Sequence, residues 1–172
     1  FTQTIIQQID TMSSIASAFS NFAEMPTQQG EKLNIVKAVR LSLEIFKEKH
    51  IVFESENDKL IVVIDRPQIV RIMTNLIKNA VQACESIKSP TIKVSIKKLS
   101  KSVRIIVKDN GAGIAENIRK NIFQPNFTTK SGGMGLGLGM VKNLVNSYEG
   151  KIDFESKINK GTSFRITFPL SD

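Results

Sequence analysis

Five of the eight residues from 132 to 139 are glycine, and Gly132-Gly133-Met134-Gly135-Leu136-Gly137-Leu138-Gly139 runs into an apolar helical pattern that ends near Tyr148. Glycine-rich backbone at a helix N-terminus offers free N–H groups and the positive end of the helix dipole, which suits phosphate. Taken alone, the same segment also reads as a hinge loop. It lacks the Gly-Lys-Ser/Thr of a P-loop, and it lacks the preceding strand and βαβ context of a dinucleotide fingerprint. The chain must therefore cradle any phosphate on a different architecture.

Two further elements precede the glycine run. Asn75 and Asn79 are four residues apart in Asn75-Leu76-Ile77-Lys78-Asn79. On a helix this spacing stacks both amides on one face, and amide oxygens are hard neutral ligands suited to Mg²⁺. Asp109-Asn110-Gly111-Ala112-Gly113-Ile114 follows the strand-like run Val103–Lys108. A carboxylate at a strand end can accept from an exocyclic amine, worth ~1.5–3 kcal/mol for a charged acceptor. Gly111 and Gly113 are read here as removing the Cβ atoms that would hold off a flat ring. Asn pairs also bridge backbone, and Asp-Asn-Gly is also an ordinary turn. The three elements in this order, taken together, are far more specific than any one of them.

The 172 residues, 41% of them hydrophobic, suit one globular domain with an appended element. No apolar run approaches the ~20 residues of a membrane span. The start at Phe1, without a methionine or a signal-like segment, suggests a fragment whose upstream parts could span a membrane. Cys84 is the only cysteine, so an internal disulfide is excluded, and its apolar neighbours suggest a buried structural thiol. The formal charge of +8 permits nucleic-acid binding, but the lysines are scattered and not interleaved with aromatics, which favours an anionic ligand or an acidic partner protein.

Along residues 1–25, Ile5, Ile9, Met12, Ile15, Ala16, Phe19, Phe22 and Met25 recur in steps of three and four, the mark of an amphipathic helix, and Pro26 ends it. Its stripe needs cover, either from its own domain or, the favoured reading, from another chain in a helical bundle. The expected division is residues 1–28 as a bundle helix and 29–172 as a separate domain. Within the latter, helices are expected at 34–49, 68–86, 115–122 and 136–148. Strands are expected at 51–54, 60–64, 91–98, 103–108, 152–156 and 162–168. Residues 56–58 read as a turn, Asp65 as a helix N-cap, and Pro67 as first-turn proline. Grouped strands with helices on one side predict a two-layer α/β sandwich with a mixed sheet.

With these residues in view, the chain resembles the catalytic and ATP-binding domain of two-component sensor histidine kinases over about residues 30–170. NLIKNAVQA resembles the family's asparagine box, DNGAGI its first glycine box, IFQPNFTTK its phenylalanine box, and GGMGLGLGMVKNLV its second glycine box. NKGTSF matches the late glycine–threonine element, and the FTTK and NFAEMP forms look most like the nitrogen-regulation branch. The resemblance implies a Bergerat-type sandwich that binds ATP and Mg²⁺. It implies Asn79 as the Mg²⁺ ligand, Asn75 near the phosphates, Asp109 on the adenine amine, and Thr162 supporting that contact. Gly133, Gly135, Leu136 and Gly137 would cradle phosphate, with Ala83, Gly111, Gly113, Ile114 and Leu138 lining the same cleft. Phe123, Phe127, Thr128, Thr129 and Lys130 would form the hinge and lid, Lys130 acting with Asn75 and Asn79 in catalysis. Phe123 and Phe127 read equally well as core packing.

Related ATPases of chaperone, gyrase and mismatch-repair type carry a Glu at the Asn75 position to activate water. An amide is no general base, so the resemblance points to phosphoryl transfer rather than hydrolysis. Gln82 departs from the basic residue found there in many family members, which puts a phosphate role for it in doubt. The only histidine, His50, sits at a helix-to-strand junction with no acidic residue after it, and is read as structural. The phosphoacceptor helix is then expected upstream, with a homodimer formed through the bundle, a response-regulator receiver domain as partner, and a cytoplasmic location, either free or as the cytoplasmic part of a membrane-anchored sensor. The competing readings are an ATPase or serine-protein kinase of the same fold, and a nucleotide-sensing phosphatase module.

Overall fold

The computed structural model describes residues 30–48, 50–124, 127 and 135–171. The helix expected over residues 1–28 lies outside them. The described elements run β1 (Lys32–Asn34), α1 (Ile35–Leu43), β2 (Ile51–Ser55), β3 (Ile61–Val63), α2 (Arg66–Ala83), β4 (Ile92–Lys98) and β5 (Ser102–Asp109). A 3₁₀ turn (Glu116–Ile118), α3 (Gly137–Ser147), β6 (Lys151–Lys157) and β7 (Gly161–Pro169) follow.

The main sheet has the order β2-β4-β5-β7-β6. Only β2 and β4 are parallel; the other neighbours are antiparallel, so the sheet is mixed as expected. One face is apolar because the strands alternate. Ile92, Val94 and Ile96 on β4, Val103, Ile105 and Val107 on β5, and Phe164, Ile166 and Phe168 on β7 are all buried. The register pairs Val107 with Phe164, Ile105 with Ile166 and Val103 with Phe168, so these side chains form continuous rows. Against this face lie Ile69, Ile72, Met73, Leu76, Ile77 and Ala80 of α2 and Val141, Leu144 and Val145 of α3. Each large apolar side chain buried this way contributes about 1.5–3 kcal/mol. Cys84 is buried among them, as expected, and burial pushes its thiol pKa up.

Several local differences have physical causes. β1 pairs antiparallel with β3 in a separate two-stranded sheet, with Leu33 opposite Val62, both buried. Three residues are too few to show a period, so β1 was not expected. The turn at 56–58 accordingly joins strands of two different sheets. α1 starts where the Asn34 side chain accepts from the Val36 N–H at 3.2 Å. It stops short of residue 49 because the Glu44 N–H bonds to Leu41 O, tightening the last turn. Asp65 occupies the N-cap position of α2 but makes no capping bond with its side chain. Its carboxylate instead accepts from the Tyr148 hydroxyl at 2.6 Å, tying the start of α2 to the end of α3. The segment 115–122 holds only the short 3₁₀ turn.

Candidate functional site

The alternation that builds the core also places the polar groups. Asp109 is the next inward position after Val103, Ile105 and Val107 on β5, and it is only 4% exposed. Thr162 ends the inward row of Phe164, Ile166 and Phe168 on β7 and is also buried. Ser156 ends the row of Ile152 and Phe154 on β6 and lies directly opposite Thr162. Three polar side chains thus close the same end of one apolar face.

Asp109 Oδ1 accepts from the Gly111 N–H at 2.8 Å and the Thr162 N–H at 3.2 Å. Both of these bonds fall on one oxygen, which among the described residues leaves Oδ2 as the acceptor available to a ligand. Burial pushes the carboxyl above its ordinary range, opposed by these two backbone donors. Thr162 Oγ1 lies 2.9 Å from Ser156 Oγ. Ser156 Oγ also accepts from the Ile114 N–H at 2.8 Å and reaches Gly161 O at 3.1 Å. Arg119 clasps the same junction, donating to Ser156 O at 2.5 Å and to Ile114 O at 3.3 Å.

The glycines of this loop are required by the chain's own packing, a demand that adds to the expected clearance for a ring. A Cβ on Gly111 would stand 2.5 Å from Ala83 O, and the neighbouring Ala112 N–H donates to that same carbonyl at 3.0 Å. The loop is therefore bonded to the C-terminal end of α2. Gly113 has φ +74°, and its Cβ would meet Lys157 O at 2.3 Å. Asn110 anchors the other side: its Oδ1 accepts from the Thr91 N–H at 2.8 Å and its Nδ2 donates to Ser89 O at 2.9 Å.

On α2, Asn75 and Asn79 are both half-buried and one turn apart. Asn75 Nδ2 donates to Arg71 O at 2.8 Å. Its Oδ1 faces the first residue of α3, where a Cβ on Gly137 would stand 2.7 Å away. The Asn79 amide makes no hydrogen bond to another described side chain. The two asparagines therefore differ: one is held by its own helix and packed against α3, the other is open to a ligand. Leu136 precedes α3 without a side-chain cap, and the first N–H groups of the helix have no intrahelical partner. Gly135 just before it takes φ +65°, a left-handed backbone that favours glycine.

Phe123 proves to be a packing residue. Its ring meets Phe154 and Phe164 edge-on, with centroids 5.8 and 6.4 Å apart, and Lys142 Nζ lies 5.5 Å from the ring centre. Phe127 also packs against the core. Thr128, Thr129, Lys130 and Gly133 lie outside the described residues. His50 is half-buried, and its carbonyl accepts from the Ile92 N–H at 3.0 Å.

Sequence reasoning missed Ser156 and Arg119. Ser156 carried a signal, since it continues the two-residue step of Ile152 and Phe154 into a strand opposite Thr162. Arg119 carried none. Among the described residues no helix is long and apolar enough to cross a membrane.

Known proteins resemble this chain in sequence and in fold. A family model described as histidine kinase-, DNA gyrase B- and HSP90-like ATPase matches residues 64–172. Sporulation kinase A of Bacillus subtilis is 38% identical over 66% of the chain, and nitrogen regulation protein NtrY of Azorhizobium caulinodans is 28% identical over 96%. The chain spans 18% and 23% of those two relatives' lengths. Among solved structures, the catalytic domain of the histidine kinase ThkA superposes with a TM-score of 0.74 at 30% identity, covering 84% of this chain and 99% of that one. ThkA in complex with its response regulator TrrA gives a TM-score of 0.76 at 25% identity, covering 95% and 49%. The mixed sheet with helices on one face is thus the Bergerat-type sandwich of histidine kinase catalytic domains, and the chain belongs to the family of histidine kinase-, DNA gyrase B- and HSP90-like ATPases.

Proposed function

We propose that this chain is the ATP-binding catalytic part of a sensor histidine kinase, which transfers the γ-phosphate of ATP to a histidine for relay to a response-regulator receiver domain. The observation that carries the reading is Asp109. A carboxylate is held in the apolar layer with Oδ1 fixed by two backbone N–H groups and Oδ2 left for a donor. That geometry suits the exocyclic amine of adenine. Thr162 stands beside it, and Ala83, Gly111, Gly113 and Ile114 belong to the same packed junction.

The phosphates would then extend toward Asn75, Gly135, Leu136, Gly137 and Leu138, where α3 begins with free N–H groups. Asn79 fits Mg²⁺: its amide is a neutral hard oxygen that makes no hydrogen bond to another described side chain. Among the described residues no group of three acidic, His or Cys side chains could cage a metal. That suits an ion which retains its waters and is held by one protein oxygen together with substrate phosphates. The bound ion would supply charge neutralisation at the phosphates. Lys130 and Thr129 are assigned to the closing lid, and Gly133 to the phosphate cradle, on resemblance alone.

Asn75 favours transfer over hydrolysis. Its amide carries no basic lone pair, its Nδ2 is bonded to Arg71 O, and its Oδ1 abuts Gly137. Catalysis would rest on positioning and electrostatics rather than on deprotonating water. The response-regulator partner is supported by the ThkA–TrrA complex. Residues 1–28 would be the second helix of the dimerisation bundle, and the location would be cytoplasmic.

The test is titration of the chain with ATP, with and without Mg²⁺, followed by incubation with γ-labelled ATP and a histidine-bearing helical bundle added in trans. Mg²⁺-dependent binding with label on the bundle histidine is expected. Rapid steady-state phosphate release without labelling of the bundle would instead favour the hydrolase reading.

A further inference from the structure

We infer that Ser156 is a positioning residue that sets the proton direction of the Thr162 hydroxyl and so contributes to base selectivity, an inference that rests on the adenine-site reading above. The donors and acceptors around Ser156 set this direction. A serine hydroxyl has one proton and two lone pairs. Among the described residues Ser156 Oγ has three polar neighbours: the Ile114 N–H at 2.8 Å, Gly161 O at 3.1 Å and Thr162 Oγ1 at 2.9 Å. The Ile114 N–H can only donate, so it takes one lone pair. The Gly161 carbonyl can only accept, so it takes the proton. The remaining lone pair can then be filled only by the proton of Thr162.

With its proton directed at Ser156, Thr162 Oγ1 offers only lone pairs elsewhere. It becomes an obligate acceptor beside Asp109, whose free Oδ2 is also an acceptor. Two acceptors side by side match an amino group and repel a keto oxygen. A buried acceptor facing another acceptor is left unpaired, which is how polar sites reject the wrong analogue.

The position of Ser156 is itself over-determined. Its main-chain carbonyl accepts from Arg119 Nη2 at 2.5 Å, and the same guanidinium bonds Ile114 O at 3.3 Å. The strand and the Asp109 loop are therefore clasped on both sides of the hydroxyl. On the neighbouring strand Gly161 has φ +96°, and a Cβ there would stand 1.9 Å from Asp109 O, so the carbonyl that orients Ser156 is fixed as well.

The experiment compares ATP with inosine triphosphate, which carries a keto oxygen in place of the amine, by titration calorimetry. The wild-type chain, Ser156→Ala and Ser156→Thr are measured, each after a thermal melt that establishes cooperative folding. Wild type should prefer ATP. In Ser156→Ala the Thr162 hydroxyl is free to turn and donate, so the preference should shrink about five- to tenfold, the worth of one neutral hydrogen bond. Asp109 retains the rest. Ser156→Thr keeps the hydroxyl and should restore the wild-type ratio.

A purely structural serine would weaken both nucleotides equally, and an unchanged ratio in Ser156→Ala overturns the inference while leaving ATP binding intact. Should Ser156→Ala fail to melt cooperatively, Ser156→Cys, whose thiol accepts only weakly, carries the same comparison with the same two outcomes. If the wild-type chain shows no preference for ATP, the adenine-site reading fails first and this inference with it.

Discussion

The side-chain oxygen of Asn75 stands 2.7 Å from the point that a Cβ on Gly137 would occupy. Through this contact the asparagine helix and the start of α3 meet without an intervening side chain. Gly137→Ala would ordinarily favour a helix by up to ~1 kcal/mol. Here the new methyl displaces the tip of Asn75, the far end of a side chain, at a cost no larger than its one hydrogen bond to Arg71 O. The variant should therefore melt within a few degrees of wild type yet bind ATP about three- to tenfold more weakly, the worth of a single hydrogen bond. Thermal melts beside calorimetric titration check both halves, and unchanged affinity would count against a phosphate role for this junction.

Gly161→Ala should behave oppositely. The left-handed φ of +96° strains any other residue, and the added Cβ would lie 1.9 Å from a backbone oxygen that has nowhere to go. A loss of stability well above ~1 kcal/mol is expected, read as a large fall in the denaturation midpoint before any nucleotide is added.

The Tyr148–Asp65 bond gives a pH prediction. Burial and the acceptor Asp65 raise the phenol to about 12. A raised folded-state value means the neutral phenol is preferred in the native protein. Its stabilisation is complete below the ordinary tyrosine value of ~10 and is lost as pH rises toward about 12. Tyr148→Phe should lose ~1.5–3 kcal/mol at neutral pH, as for a hydrogen bond to a charged acceptor, and should flatten the alkaline limb of the stability profile. An alkaline limb unchanged by the substitution would sink this assignment.

Much of this was legible in the sequence because the alternation of Val103, Ile105 and Val107 already assigns Asp109 to the inner face. The four-residue step from Asn75 to Asn79 likewise fixes one helix face. What the residues could not reveal was which amide would be engaged. That depends on Gly137, sixty-two residues beyond Asn75, arriving at its side-chain oxygen. The packing demand on Gly111 and Gly113 was hidden for the same reason: their missing Cβ atoms answer to Ala83 and Lys157, partners set by the tertiary fold. The N-cap position of Asp65 was readable from Pro67, but its carboxylate is claimed by a tyrosine eighty-three residues away. Local pattern fixes faces; long-range contacts decide which polar atoms are engaged.

His50 should not act as phosphoacceptor. Its ring Nε2 is closed off from solvent, and its carbonyl is bound into the sheet by Ile92. A nucleophile must reach the γ-phosphate in line, which a walled-in nitrogen cannot do. Incubation with γ-labelled ATP should leave His50 unlabelled, and His50→Gln should pass phosphate to an added bundle as readily as wild type. Acid-labile label that disappears in His50→Gln would refute this.

Asp109→Asn should separate stability from function. Burial holds the carboxyl above its ordinary range, so the native state binds its proton more readily than the unfolded chain. The sign follows: the contribution of this group is greatest below the unfolded value and declines as pH rises through the folded one. At neutral pH the buried charge weighs against the ligand-free fold, and an amide of the same shape removes it. The amide oxygen can still accept from Gly111 and Thr162, so the loop should persist. The amide nitrogen, however, would take the place of Oδ2 and present a donor where the adenine amine also presents one. The variant should melt higher than wild type near neutrality, with the difference shrinking toward acid, while ATP affinity falls roughly ten- to a hundredfold, as for losing a charge-assisted bond. Such opposition between stability and binding is what a functional buried charge produces. A variant that melted lower at neutral pH and bound ATP unchanged would show that Asp109 serves the fold and not the ligand.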